Sequence, residues 1–205
     1  RKNLPRPLRH CIDFSSQVPS QVLARESSID NLKATVDLSS ASDLLSTWTV
    51  ERFFRKSPSI QSALYASRTR YVIDGTGSNS FGPLLLKKFA GQGSAVTFPI
   101  QSMIYSACCI AAILSSEYKR PTGRNIRKAV NRIRVFGDDL IIPSTALFDL
   151  ALIFNNLQLK INMGKTHYDS PFRESCGGDY FRGYDVTPLY LRNLSTKSNR
   201  ADVLA

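Results

Sequence analysis

The sequence predicts an α+β fold, a small antiparallel sheet packed on helices. Two short apolar runs with strand character flank a Gly-Asp pair in "RIRVFGDDLIIP", and a third, "KATVD", ends on an aspartate. Between them lie long segments with helical spacing or continuous apolar character. A chain of 205 residues with 42% hydrophobic and 10% aromatic residues also has enough apolar mass for a core.

In chain order, residues 1–33 read as irregular, with Pro5, Pro7 and Pro19 as breakers. "KATVDLSS" (33–40) gives a short strand ending at Asp37. "SSASDLLSTWTVERFF" opens with capping residues and continues as one helix. Leu44, Leu45 and Trp48 fall on one face of it, so Trp48 is read as core rather than as a platform for bases. Residues 57–83 are Ser/Gly-rich, with "DGTGSNSFGP" as a loop. The glycines of "AGQGSAVTFP" make a turn, and Thr97 begins a long, mostly buried helix. "RPTGRNIRKAVNRIR" (120–134) is a basic connector, followed by the Gly-Asp-Asp hairpin, which Pro143 stops. "STALFDLALIFNNLQL" is an amphipathic helix capped by Ser144, "LKINMGKTHYDS" holds a strand and a turn, and "YFRGYDVTPLYL" a strand pair.

The net charge of +11 and pI near 9.8 favour a polyanionic partner, nucleic acid first. A membrane surface is second, without a basic amphipathic helix to support it. The longest continuous apolar run, "ACCIAAIL" (107–114), is too short to span a bilayer. Four cysteines without CxxC spacing and two histidines speak against a zinc site or a disulfide framework, and Cys108 and Cys109 read as core. The chain starts at Arg1 with no signal peptide and is expected to be a piece of something longer.

The Gly-Asp pair has two readings. One is an ordinary hairpin turn. The other is a turn that presents carboxylates to a hard divalent cation such as magnesium, which needs a second carboxylate source. "TVDLSSASD" offers one: if the two strands are sheet neighbours, Asp37 and Asp138 converge at one edge and repel unless a cation neutralises them. Two magnesium ions (manganese can substitute) would then serve an in-line phosphoryl transfer.

Four stretches in order carry a family resemblance: "ATVDLSSASD" (34–43), "GQGSAVTFPIQSMIYS" (91–106), "VFGDDLIIP" (135–143) and "NMGKTHYDSPFRESCGGDYFRGYDVTP" (162–188). They resemble the palm motifs of RNA-directed RNA polymerases, and more closely the replicase subunit of the single-stranded RNA bacteriophages, the leviviruses, with Phe136 where a tyrosine is usual. The resemblance implies Asp37 and Asp138 as principal metal ligands and Asp139 as auxiliary, all three catalytic. It implies that Asp43 accepts a ribose 2′-hydroxyl; as an alternative it is a helix-start carboxylate. Gln101 stands where related enzymes have a ribose-binding asparagine, with Thr97 one turn earlier, and Gly91 and Gly93 let the backbone approach the nucleotide pair. Lys165 would protonate or neutralise the leaving pyrophosphate, with a solvated surface lysine as the alternative. Arg124, Arg127, Lys128 and Arg132 of the connector, and Arg173 of "FRESCG", are RNA-contact candidates, a solvated helix face being the connector's alternative.

The implied organisation is one polymerase catalytic domain over 1–205, with a fingers-type leader at about 1–33, a fingers-type insertion at about 57–90, and most of the fingers and thumb missing. The implied partners are RNA template and product, ribonucleoside triphosphates, and host translation elongation factors with a ribosomal protein, in the cytoplasm of a bacterial host and away from membranes. Three rivals remain: a non-catalytic basic RNA-binding protein, a reverse transcriptase, which Asp43 weakens, and a metal-dependent phosphohydrolase.

Overall fold

The computed structural model of the chain describes residues 6–73, 75, 82–89, 91 and 93–189. A 3₁₀ turn at Arg6–His10 leads into helix α1 (Val18–Asp30), strands β1 (Lys33–Val36) and β2 (Leu38–Ser39), and helices α2 (Ala41–Leu44), α3 (Thr47–Phe53) and α4 (Pro58–Ser67). Strands β3 (Tyr71–Val72) and β4 (Leu84–Leu85) follow, then helices α5 (Thr97–Ser116) and α6 (Gly123–Val130), and strands β5 (Arg134–Phe136) and β6 (Asp139–Pro143). Helix α7 (Leu147–Asn156), strand β7 (Lys160–Ile161) and strands β8 (Phe172–Ser175), β9 (Gly178–Phe181) and β10 (Tyr184–Asp185) complete the fold. It is α+β, as expected.

The central sheet has the order β1–β6–β5, all antiparallel. Alternation along β6 sends its side chains to two different layers. Leu140 and Ile142 join the main core with Ile104, Cys109 and Ile113 of α5 and Leu150 and Phe154 of α7. Ile141 faces the other way, onto Ala24 of α1 and Tyr180 of β9. The expected single helical layer is therefore corrected: α5, with α6 and α7 packed on it, covers one face, while α1 and the β8–β9–β10 sheet cover the other. A sheet buried on both faces explains why β6 reads as a continuous apolar run. Helix α5 is long and apolar enough to cross a membrane by length and composition, and most of it is buried within this fold.

Several local expectations are corrected. The leader is not irregular throughout: α1 tolerates Pro19 because it sits in the first turn, where no intrahelical N–H bond is lost. The single helix expected at 39–54 is two. Leu45 is extended between them, and Ser46 caps α3 by accepting from Thr49 N–H. Residues 86–89 lie across this break, with Phe89 N–H donating to Leu45 O at 2.7 Å and Thr47 N–H to Lys87 O at 2.9 Å. The break turns Trp48 outward, leaving it 62% exposed instead of core. The Ser/Gly-rich stretch starts with helix α4, whose Pro58 again occupies the first turn. The loop expected at 74–83 lies almost entirely outside the described residues. The basic connector contains helix α6, and Ser144 opens a 3₁₀ turn rather than capping α7. Finally, β8 and β9 form a hairpin through Cys176 and Gly177, both at positive φ (52° and 74°), a type I′ signature that Cys-Gly does not announce.

Candidate active site

The hairpin tip is built as its sequence suggests. Phe136 pairs with Asp139, leaving Gly137 and Asp138 as the two turn residues, and only Gly137 has positive φ (66°), which marks a type II′ turn. Helix α5 holds this turn from beneath: Gly137 N–H donates to Ser102 Oγ at 3.0 Å, and the Phe98 and Phe136 rings meet edge-on at 4.9 Å. A Cβ on Gly137 would lie 2.5 Å from the Phe98 ring. Gly137→Ala combines that clash with left-handed backbone and should cost about 3 kcal/mol in urea unfolding. Gly177→Ala, with positive φ but open space around it, should cost only about 1 kcal/mol. Equal losses would sink the Phe98 explanation.

Strand β1 pairs directly with β6, Val36 opposite Leu140, so Asp37 emerges beside the hairpin tip. Segment 160–167 closes the other side of β1, since Thr35 and His167 exchange backbone hydrogen bonds at 2.9–3.0 Å. Asn162 fixes the Asp37 carboxylate, its Nδ2 donating to Oδ2 at 3.0 Å, and Asn162 N–H donates to Asp37 O at 2.9 Å. Burial raises the Asp37 carboxyl above its ordinary value; Asn162 and Lys165 pull it down, and Asp138 pushes it up. The two carboxylates therefore feel each other, as the paired-strand argument requires. Tyr105, fully buried beneath them, donates to Ala41 O at 2.9 Å.

Asp139 behaves differently. Its side chain accepts hydrogen bonds from Cys176, while burial first and Asp138 second raise its carboxyl to about 6. Among the described residues no three His, Cys, Asp or Glu side chains are gathered closely enough to hold a metal ion together. Asp37 and Asp138 converge, and Asp139, engaged by the β8–β9 turn, feels the charge of both. The pair does fit a hard cation in its chemistry: two oxygen donors of like charge, one of them partly desolvated.

Beside this pair lies a cleft of about 470 Å³ lined by Asp138, Asp43, Gly93, Ser94, Thr97 and Gln101, among others. Three separate motifs meet in it. Asp43 stands in the first turn of α2, and Lys88 Nζ reaches it at 2.7 Å. Thr97 Oγ1 donates to Gly91 O at 2.9 Å, which ties the glycine turn to the start of α5. Gly93 has φ +88°, a conformation that favours glycine. Gln101, 5% exposed, sits one turn beyond Thr97. Lys165 ends an exposed 3₁₀ turn on the Asp37 side.

The basic RNA-contact candidates are not gathered here. Arg124, Arg127 and Lys128 are exposed on α6, which packs near Ile113 and Leu114 of α5. That is roughly 24 Å along the helix from Thr97. Arg132 is paired with Glu117, which also binds Lys119. Arg173 is corrected outright: at 0% exposure its guanidinium is spent on backbone carbonyls, so it offers no surface to RNA. The supporting residues Lys88, Asn162, Ser102 and Tyr105 were not singled out in the sequence. Phe98, Ser102 and Tyr105 at i, i+4 and i+7 are the one stripe that could have pointed to the hairpin.

The sequence matches the family described as RNA replicase, beta-chain over residues 4–203. It is 36% identical over 182 residues to the RNA-directed RNA polymerase subunit beta of Qbeta virus (strain MX1), covering 89% of this chain and 28% of that protein. It is 34% identical to the subunit of the same name from Enterobacteria phage SP, over 88% of this chain and 29% of that one. With the RNA-directed RNA polymerase beta chain of Escherichia phage MS2 it shares 32% over 88% of this chain and 30% of that one. The chain thus spans about three tenths of the length of these relatives. A match over nearly its whole length places the meeting of the four motifs in a known lineage: the chain belongs to the RNA replicase beta-chain family.

Proposed function

We propose that this chain is the palm of an RNA-directed RNA polymerase, carrying out template-directed transfer of nucleotides from ribonucleoside triphosphates to the 3′-hydroxyl of a growing RNA. The observation that carries the reading is the convergence in one cleft of Asp138, Asp43, Thr97 and Gln101, from three distant motifs, with Asp37 alongside. Asp37 and Asp138 would hold magnesium, or manganese in its place. When bound, that ion supplies positive charge for the attacking hydroxyl and the departing pyrophosphate.

The protein's own residues do the rest. Asn162 orients the Asp37 carboxylate. Asp43 accepts the ribose 2′-hydroxyl, exchanging part of its contact with Lys88, and Gln101 offers donor and acceptor to the same sugar. Gly91 and Gly93 keep the approach narrow, and Thr97 fixes their turn. Lys165, whose charge already acts on the Asp37 carboxyl, would protonate or neutralise the pyrophosphate. Asp139, anchored to Cys176, positions the hairpin rather than contacting the nucleotide. In this reading the leader at about 1–33 and the insertion at about 57–90 are fingers-type additions to the palm. RNA template and product, host translation elongation factors and a ribosomal protein are its partners in the bacterial cytoplasm.

The test is primer extension on a homopolymer template with magnesium. Ribonucleotide incorporation is expected, and Asp43→Ala should lower the preference for ribo- over deoxynucleotides by about 10- to 100-fold, the worth of one hydrogen bond to a charged group. Equal use of deoxynucleotides by the unmodified protein would favour a reverse transcriptase. Triphosphate hydrolysis without a template would favour a phosphohydrolase, and magnesium-independent RNA binding alone a non-catalytic scaffold.

A further inference from the structure

We propose that the groove between α3, α4 and the β3–β4 ladder is a second RNA site, holding a single-stranded segment by base stacking and phosphate contact outside the carboxylate cleft. The groove has a volume of about 800 Å³, larger than the cleft, and shares no lining residue with it. Two aromatic side chains stand open in it, Trp48 at 62% and Tyr71 at 56% exposure. A third, Tyr65, carries the Arg68 and Arg70 guanidinium groups at 5.9 and 5.8 Å from its ring centre. Arg68 is held in place by Thr47 Oγ1 and Leu86 O, both at 2.8 Å. Arg70 and Lys87 are exposed.

Among the lining residues three cations face a single carboxylate, Glu51, which accepts from the Tyr65 hydroxyl. Aromatic faces set among fixed positive charges suit successive bases on a phosphate chain, and such binding tolerates any sequence. A polypeptide occupant would cover the rings but leave Arg68, Arg70 and Lys87 without counter-charge. The geometry also links the two sites. Residues 86–89 run antiparallel to 45–47, and alternate positions point to opposite sides. Lys88 reaches Asp43 in the carboxylate cleft, while Lys87 lines the groove. This segment therefore borders both sites, one lysine on each side.

Trp48 is the chain's single tryptophan, so its emission reports on this groove alone. An oligouridylate of eight nucleotides, titrated without magnesium, should quench that emission saturably. Arg70→Ala, a change at an exposed position, should weaken binding about tenfold and make the dependence of affinity on salt shallower. Asp138→Asn should leave the quenching unchanged, which separates this site from the polymerase reading. Two results would overturn the proposal. One is binding of labelled oligouridylate, seen by anisotropy, with no change in Trp48 emission and no effect of Arg70→Ala. The other is emission of a buried indole that neither acrylamide nor RNA alters, which would mean that polypeptide fills the groove.

Discussion

Asp138→Asn is expected to lower ribonucleotide incorporation by about 10³-fold or more while leaving the fold as stable as before. The loss follows from halving the carboxylate pair that would hold the cation, an interaction worth several kcal/mol in the transition state. The stability follows from the site's own repulsion. Asp138 is among the causes that raise the carboxyls of Asp37 and Asp139, so its charge opposes theirs. Without a divalent cation, removing that charge relieves its neighbours, and the unfolding free energy should stay within about 0.5 kcal/mol of the parent or rise. Manganese titration should show weaker binding in the variant. Retained incorporation, or a clear loss of stability with manganese binding intact, would return Gly137–Asp138 to the status of a plain turn.

The part of this site that was legible in the sequence is the part made of local rules. Gly-Asp between β-rich runs specifies a hairpin whatever surrounds it, and an aspartate closing a short strand must emerge at a sheet edge. The run from Thr97 to Ser116 is largely buried because no charged residue interrupts it, and its few polar side chains find partners or line the cleft. What escaped depends on contacts made across the chain. Lys88 meets Asp43 over 45 residues, Asn162 meets Asp37 over 125, and Ser102 reaches the hairpin over 35. The exposure of Trp48 has the same origin. Helical spacing puts it with Leu44 and Leu45, but residues 86–89 take the Leu45 carbonyl and break the helix, so the spacing no longer applies. Pro19 misled in the opposite direction, because a proline stops a helix only beyond its first turn.

Arg173→Met should destabilise the fold by about 3–5 kcal/mol, a large share of the 5–15 kcal/mol typical of a domain. The "FRES" strand alternates, and its buried positions are Arg173 and Ser175. The guanidinium donates to Lys33 O at 2.7 Å, Phe172 O at 2.6 Å, Tyr168 O at 3.3 Å and Asn31 Oδ1 at 3.3 Å, and also to Ser170 O. Asn31 ends α1 in the left-handed conformation, and Lys33 begins β1. One side chain therefore ties the end of that helix to the strand leading to Asp37 and to the loop before β8. Burial lowers the Arg173 pKa, with Asp30 and Asp169 only partly opposing it, so the charge is held mainly by carbonyl dipoles. Methionine keeps much of the volume but leaves those acceptors without donors, and it is this orphaning that sets the cost. Lysine keeps the charge but not the fork, and should recover only part of the loss. In urea the midpoint should fall with the slope unchanged. Loss of RNA affinity in such a variant would then follow from unfolding. An Arg173→Met protein that unfolds like its parent yet binds RNA poorly would instead restore Arg173 as a contact residue.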